Sequence, residues 1–189
     1  LYTADEIREN GGAAGAITGI AFHVSKNGSL KGGEQTYYIG STSKSKLDQG
    51  SYITGLQSVK GRMTGHDADG WQTIAFDEPY QWDGESNIVV AAYVACPSSS
   101  GVANSTLEYY GTYVEGMSGY STSRDRKTAE QLFNSSPSLC GVRPDIRFSI
   151  EDLAVSIGNI NIQYATGEAV QPQVSVSLDD RVLENGRDY

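Results

Sequence analysis

Apolar and polar positions alternate most regularly between Gly70 and Cys96, a stretch that reads as two strands and their connection. From Trp71 to Phe76, Ile74 and Phe76 fall two apart while Trp71, Thr73 and Ala75 share the opposite face, as a pleated strand requires. The Asp77-Glu78-Pro79 run is expected to stop this strand, because proline cannot donate to a β-ladder. Asn87 to Cys96 then carries Ile88, Val90, Ala92 and Val94 on one face and Val89, Ala91, Tyr93 and Ala95 on the other. Apolar side chains on both faces predict a strand at the centre of a sandwich.

The same period marks further strands over 17–25, with Ile20, Phe22 and Val24 inward and Ala21 and His23 on the other face, and over 36–42 and 58–65. Residues 107–114 give a tyrosine-rich strand, and Pro144 to Ile150 alternates cleanly. Asn27-Gly28 predicts a hairpin turn. Thr3 followed three residues later by Glu6 predicts a capped helical turn, and Ala129, Leu132 and Phe133 have helical spacing within 122–133. About eight strands spaced roughly 10 to 20 residues apart predict an all-β, jelly-roll-like sandwich over 1–152. At Leu153 the character changes: 154–164 and 172–178 are two alternating segments that open a second, partial β module over 153–189. About 35 residues cannot build a two-sheet core of their own.

Composition fits this class, with 22 Gly and 12 Tyr against 2 Met and 5 Pro. A net charge of −9 and a pI near 4.6 argue against nucleic acid or an anionic membrane surface as partner, since both demand clustered Lys and Arg. No apolar run approaches the roughly 20 residues of a spanning helix, so membrane insertion is not expected. The first residues, Leu1 to Ile7, lack the basic and apolar segments of a signal peptide. Two cysteines leave two readings open. Cys96 and Cys140 either form a disulfide closing a loop of about 45 residues, worth roughly 4 kcal/mol as an upper figure, or remain two buried thiols.

Two stretches resemble known families. The opening Tyr2-Thr3-Ala4-Asp5-Glu6-Ile7, then Ile17-Thr18-Gly19-Ile20-Ala21-Phe22, Tyr38-Ile39-Gly40-Ser41-Thr42, Gly70 to Phe76, Tyr80 through Ala91, and Arg143-Pro144-Asp145-Ile146-Arg147-Phe148 resemble the jelly-roll modules of bacterial surface proteins. Those modules are related to the cleaved-adhesin (hemagglutinin) domains of gingipains and are frequent in gut Bacteroidetes. Tyr164-Ala165-Thr166-Gly167, Val170 to Val174 and Leu183 to Tyr189 are similar to the opening half of an Ig-like repeat found in tandem in bacterial surface proteins. The resemblances imply an extracellular or cell-surface, multidomain protein that is adhesin-like or handles glycans, with a glycan or a host or cell-surface protein as partner. They fix no ligand, because sandwich modules of this kind occur beside proteases, glycosidases and plain stalks alike.

For chemistry, His23 and His66 lie far apart in sequence, and Gly-x-Ser-x-Gly, His-Glu-x-x-His and Gly-x-x-x-x-Gly-Lys are all absent. Both histidines are read as ordinary strand or surface residues, and Asp77, Glu78, Asp83 and Glu85 as acids too numerous for their proximity to signal a hydrolase. Asp67 and Asp69 in the His66 to Gly70 turn offer two carboxylates to a hard cation, so a structural Ca²⁺ is the cofactor the pattern allows, although the EF-hand spacing is not met. Sugar rings stack on exposed aromatics. Trp82 with Tyr80 and Asp83 in an expected turn, and Tyr109 and Tyr113 along the tyrosine-rich strand, are therefore the candidate ligand-binding set, with Tyr110 and Tyr120 extending the tyrosine series that would line a groove, whereas Trp71 is assigned to the core. The Asn-x-Ser/Thr matches at Asn27, Asn104 and Asn134 read as turn chemistry. The expectation is a non-catalytic adhesion or binding module of a larger bacterial surface protein. A carbohydrate-binding module predicts an exposed aromatic platform, a structural stalk predicts buried aromatics and no pocket, and an enzyme predicts a histidine beside a carboxylate in a cleft.

Overall fold

Thr3 opens the first element as its pattern predicts: its hydroxyl accepts from the Glu6 N–H, and the Glu6 carboxylate accepts from the Thr3 N–H. The resulting helix α1 spans Ala4–Glu9 and buries Ala4 and Ile7, three residues apart on one face. The computed structural model describes residues 1–25, 28–29, 34–48, 54–66, 69–95, 107–123, 127–152, 155–157, 176–178 and 181–183. These fall into two compact units, Leu1–Glu151 and Asp152–Tyr189.

The first unit is an antiparallel β-sandwich. Strand β1 (Gly15–Val24) is followed by β2 (Gly28–Ser29), β3 (Glu34–Thr42), β4 (Gln57–Met63), β5 (Gly65–His66), β6 (Gly70–Trp82) and β7 (Asn87–Ala95). Then come β8 (Gly111–Tyr120), helix α2 (Ala129–Phe133), β9 (Ser138–Pro144) and β10 (Ile146–Asp152). One sheet has the order β10-β1-β6 and the other β4-β3-β7, with β8-β9 and β2-β5 as smaller pairs. The two larger sheets meet face to face. Phe22 of β1 stacks on Tyr37 of β3 with centroids 5.9 Å apart, and a Cβ on Gly61 of β4 would lie 2.9 Å from Ile74 and 3.0 Å from Phe76 of β6. Ile17, Ile20, Phe22, Tyr37, Ile39, Val59, Ile74, Phe76 and Ile88 form the core between them. At roughly 1.5–3 kcal/mol for each large apolar side chain, this burial is the main force holding the sandwich together.

Four expectations are corrected by the pairing. Strand β6 does not stop at Asp77. Between the pairs Gly19 with Ala75 and Ile17 with Tyr80, β1 advances two residues and β6 five, so Asp77, Glu78 and Pro79 ride in a bulge where the missing N–H is harmless. The apolar strand β7 is buried on both faces at its start, Ile88 in the main core and Val89 against Leu1, Leu47 and Met117, but β3 is the middle strand of its sheet, and β7 pairs with β3 on one side and with Tyr2 through a bridge at Ile88 on the other. Gly28–Ser29 pairs with Gly65–His66 rather than turning directly into β3, and Asn27 lies outside the described residues. The tyrosine-rich strand begins at Gly111, later than its pattern suggests, because Tyr109 makes only a bridge to Val24.

In the second unit β11 (Val155–Ile157), β12 (Val176–Leu178) and β13 (Arg181–Leu183) form a three-stranded antiparallel sheet, in which Val155 faces Leu178 and Val176 faces Leu183.

Candidate functional site

The aromatic set singled out around Trp82 is core, not surface. Trp82 is 3% exposed and its indole N–H donates to the Ser86 carbonyl at 2.8 Å, while Tyr80 is buried and donates to Ser41 Oγ at 2.8 Å. The bulge lets β6 run on, so that Tyr80 and Trp82 return to the inward face. Asp83 caps the turn that follows. It accepts from the Ser86 hydroxyl and from the Ser86 and Glu85 N–H groups, which holds its carboxyl below the usual range. Tyr109 is half-buried against Phe22, with its hydroxyl donating to Gln35 Oε1 at 2.9 Å. Of the tyrosine series Tyr110, Tyr113 and Tyr120 are exposed, Tyr113 most of all at 76% and opposite Val142 in the β8-β9 ladder.

Asp69 is exposed, and its Oδ2 accepts from the Tyr110 hydroxyl at 3.2 Å; Asp67 lies outside the described residues. Among the described residues no group of three or more His, Cys, Asp or Glu side chains converges as a metal site. Cys140 is a half-buried free thiol on β9, and Cys96 lies outside the described residues. Asn134 is the C-cap of α2, in keeping with its reading as turn chemistry.

A different constellation appears on the outward face of the β10-β1-β6 sheet. His23 and Trp71 are direct partners in the β1-β6 ladder, and their rings stack with centroids 5.0 Å apart at 11°. Tyr110 lies against His23 at 4.3 Å, fixed by its own backbone: its N–H donates to the His23 carbonyl at 2.8 Å and its carbonyl accepts from the Asp145 N–H at 3.0 Å. The Asp69 carboxylate on the Tyr110 hydroxyl pushes that phenol up. At the other end the Arg147 guanidinium of β10 stands 3.9 Å above the Trp71 ring. Beside it Thr112 donates to Asp145 Oδ1 at 2.8 Å. Trp71 and Tyr110 are 37% and 42% exposed, so three rings in contact, flanked by a cation and an anion, form an open strip. Trp71 is thereby moved from the core to the surface. The strand period had already put it opposite Ile74 and Phe76; what was missing was its neighbour, since His23, Tyr110 and Arg147 join it only through strand register.

His23 Nε2 lies 4.0 Å from Asp69 Oδ1, beyond hydrogen-bond reach, while Trp71, Thr112, Asp145 and Arg147 line a cleft of about 670 Å³ beside it. Comparison of the chain with family models, with curated proteins and with solved structures finds no match.

Proposed function

We propose that the chain is a non-catalytic binding module of a larger, cell-surface bacterial protein, and that its recognition surface is the Trp71–His23–Tyr110 strip. The observation that carries this reading is the outward exposure of three contacting rings between Arg147 and Asp69, on a sheet whose inner face is already used by the core. Exposed aromatic groups of this kind are unfavourable to leave in water and are what a sugar's CH faces stack upon, while guanidinium, carboxylate and hydroxyl groups at the margins bind hydroxyls. Carbohydrate is thus the ligand class the strip matches best. The non-catalytic reading rests on the 4.0 Å gap between His23 and Asp69, which share no hydrogen bond. The resemblance of the first unit to adhesin-like modules, and of 157–189 to tandem Ig-like repeats, supports the cell-surface setting.

The test is a glycan array probed with the chain, with and without Ca²⁺, and repeated with Trp71→Ala and Arg147→Ala. Saturable binding that weakens about tenfold or more in Trp71→Ala is expected, in line with the loss of a ring contact of about 1.4 kcal/mol. Binding unaffected by either substitution, or no bound glycan in either buffer, overturns the assignment.

A further inference from the structure

Resting on the carbohydrate reading and deepening it, we propose that the sugar recognised is acidic: Arg147 pairs with a singly charged oxyanion, a uronate carboxylate or a sulfate ester, while the rest of the glycan lies along the aromatic strip. Among the described residues of the first unit, Arg8 meets Asp5, Arg62 meets Glu34 and Arg143 meets Glu6. Arg147 meets no carboxylate there; its guanidinium rests on the Trp71 ring, 3.9 Å from the centroid. In a chain of 23 acidic against 14 basic residues, an arginine left without an acid is the exception. The cation–π contact holds the guanidinium in place and leaves its N–H donors without an oxygen partner among the described residues. A fork of donors fixed in this way matches two oxygens of one anion, and each such charged hydrogen bond is roughly twice as strong as a neutral one to a hydroxyl.

The cleft of about 670 Å³ that Arg147 and Trp71 line with Thr112 and Asp145 has the size of a small-ligand site. A second ion pair in its wall is closed, because Glu6 and Arg143 neutralise one another at 2.9 Å. Arg147 is therefore the one cation among the described wall residues that remains to take an anion. Asp145 accepts from the Thr112 hydroxyl at 2.8 Å, and as a carboxylate it retains acceptor capacity for a sugar hydroxyl. One available cation sets one negative charge per bound segment. A phosphate, with up to two, would leave an excess beside Asp145 and Asp69 that nothing in the wall offsets. The net charge of −9 does not forbid the pairing, since charges beyond about 8 Å are screened at physiological salt and a direct contact is not.

The probes are neutral oligosaccharides bearing a single glucuronate or galacturonate unit, or a single sulfate ester, each beside its carboxyl-reduced or desulfated counterpart. They are titrated into the full chain with and without Ca²⁺, and the two arms tell which oxyanion is bound. An acidic form is expected to bind about tenfold or more tightly than its neutral counterpart, with the Trp71 indole N–H shifting in NMR and that of the buried Trp82 unmoved. Arg147→Gln should erase this preference and leave the weaker, neutral affinity, with the unfolding midpoint unchanged because the side chain is exposed. Neutral forms that bind as tightly as acidic ones in a Trp71-dependent way overturn the proposal and leave the carbohydrate reading standing. A preference for acid that survives Arg147→Gln overturns it too, because the anion then sits elsewhere. Failure of every sugar to bind removes the carbohydrate reading itself, and this inference with it.

Discussion

Two tryptophans eleven positions apart on one strand have opposite fates, and single substitutions separate them. Trp82 is enclosed and its indole N–H is satisfied, so Trp82→Ala removes a large packed ring and is expected to cost about 3–5 kcal/mol. Trp71→Ala gives up a half-exposed stack and a surface cation–π contact and should cost about 1 kcal/mol or less. Urea unfolding of both variants decides the matter, and equal losses would mean that Trp71 is a core residue after all. The sequence points the other way because Pro79 and the acidic residues before it look like a terminus, placing Trp82 in a turn. Proline at a bulge removes no ladder bond, so the strand survives it, and nothing in the local pattern says whether a bulge is available.

Among the elements, α1 shows a local signal that is fully legible and a tertiary one that is not. Its capping box is written in Thr3 and Glu6, but Glu6 also reaches far along the chain. Both of its carboxylate oxygens accept from the Arg143 guanidinium, which stands 4.5 Å over the Tyr2 ring as well. Hydrogen bonding to Arg143, with help from Thr3, holds the Glu6 carboxyl down at about 2 against an ordinary value of 4.5. A carboxylate depressed in the folded state stabilises fully above its unfolded value, so this contribution is complete above about pH 4.5 and is lost as the pH falls toward 2. Glu6→Gln should flatten that decline. Urea midpoints at pH 6, 4 and 3 for both proteins check it; identical pH slopes would show that the pair contributes nothing. Residue 143 lies 137 positions from residue 6, and no periodicity in either segment announces the contact.

At the scale of the molecule, the two facing sheets enclose a polar group, Gln35, whose Oε1 accepts from Tyr37 at 3.0 Å and from Tyr109 at 2.9 Å. Burial pushes both phenols up, so they stay neutral donors across the range in which the protein is handled. Gln35→Leu would fill the space yet strand two hydroxyls, one of them fully enclosed, at a cost of about 2–4 kcal/mol. Thermal and urea unfolding measure it, and a loss below about 0.5 kcal/mol would show that water replaces the amide. The network ties β3 to the segment that carries Tyr110, so the same bonds that seal the core also hold the outer strip in place.

The all-β class, the antiparallel strands, the α1 cap and the inward set of Ile20, Phe22, Val24, Ile74 and Phe76 follow from the sequence alone, because side-chain period and capping are properties of neighbouring residues. The Trp71–His23–Tyr110 strip and the burial of Tyr80 and Trp82 do not. Each depends on which strand lies beside which and in what register. Tertiary structure decides that register by satisfying distant backbone groups and filling a shared core, and no single segment carries that information.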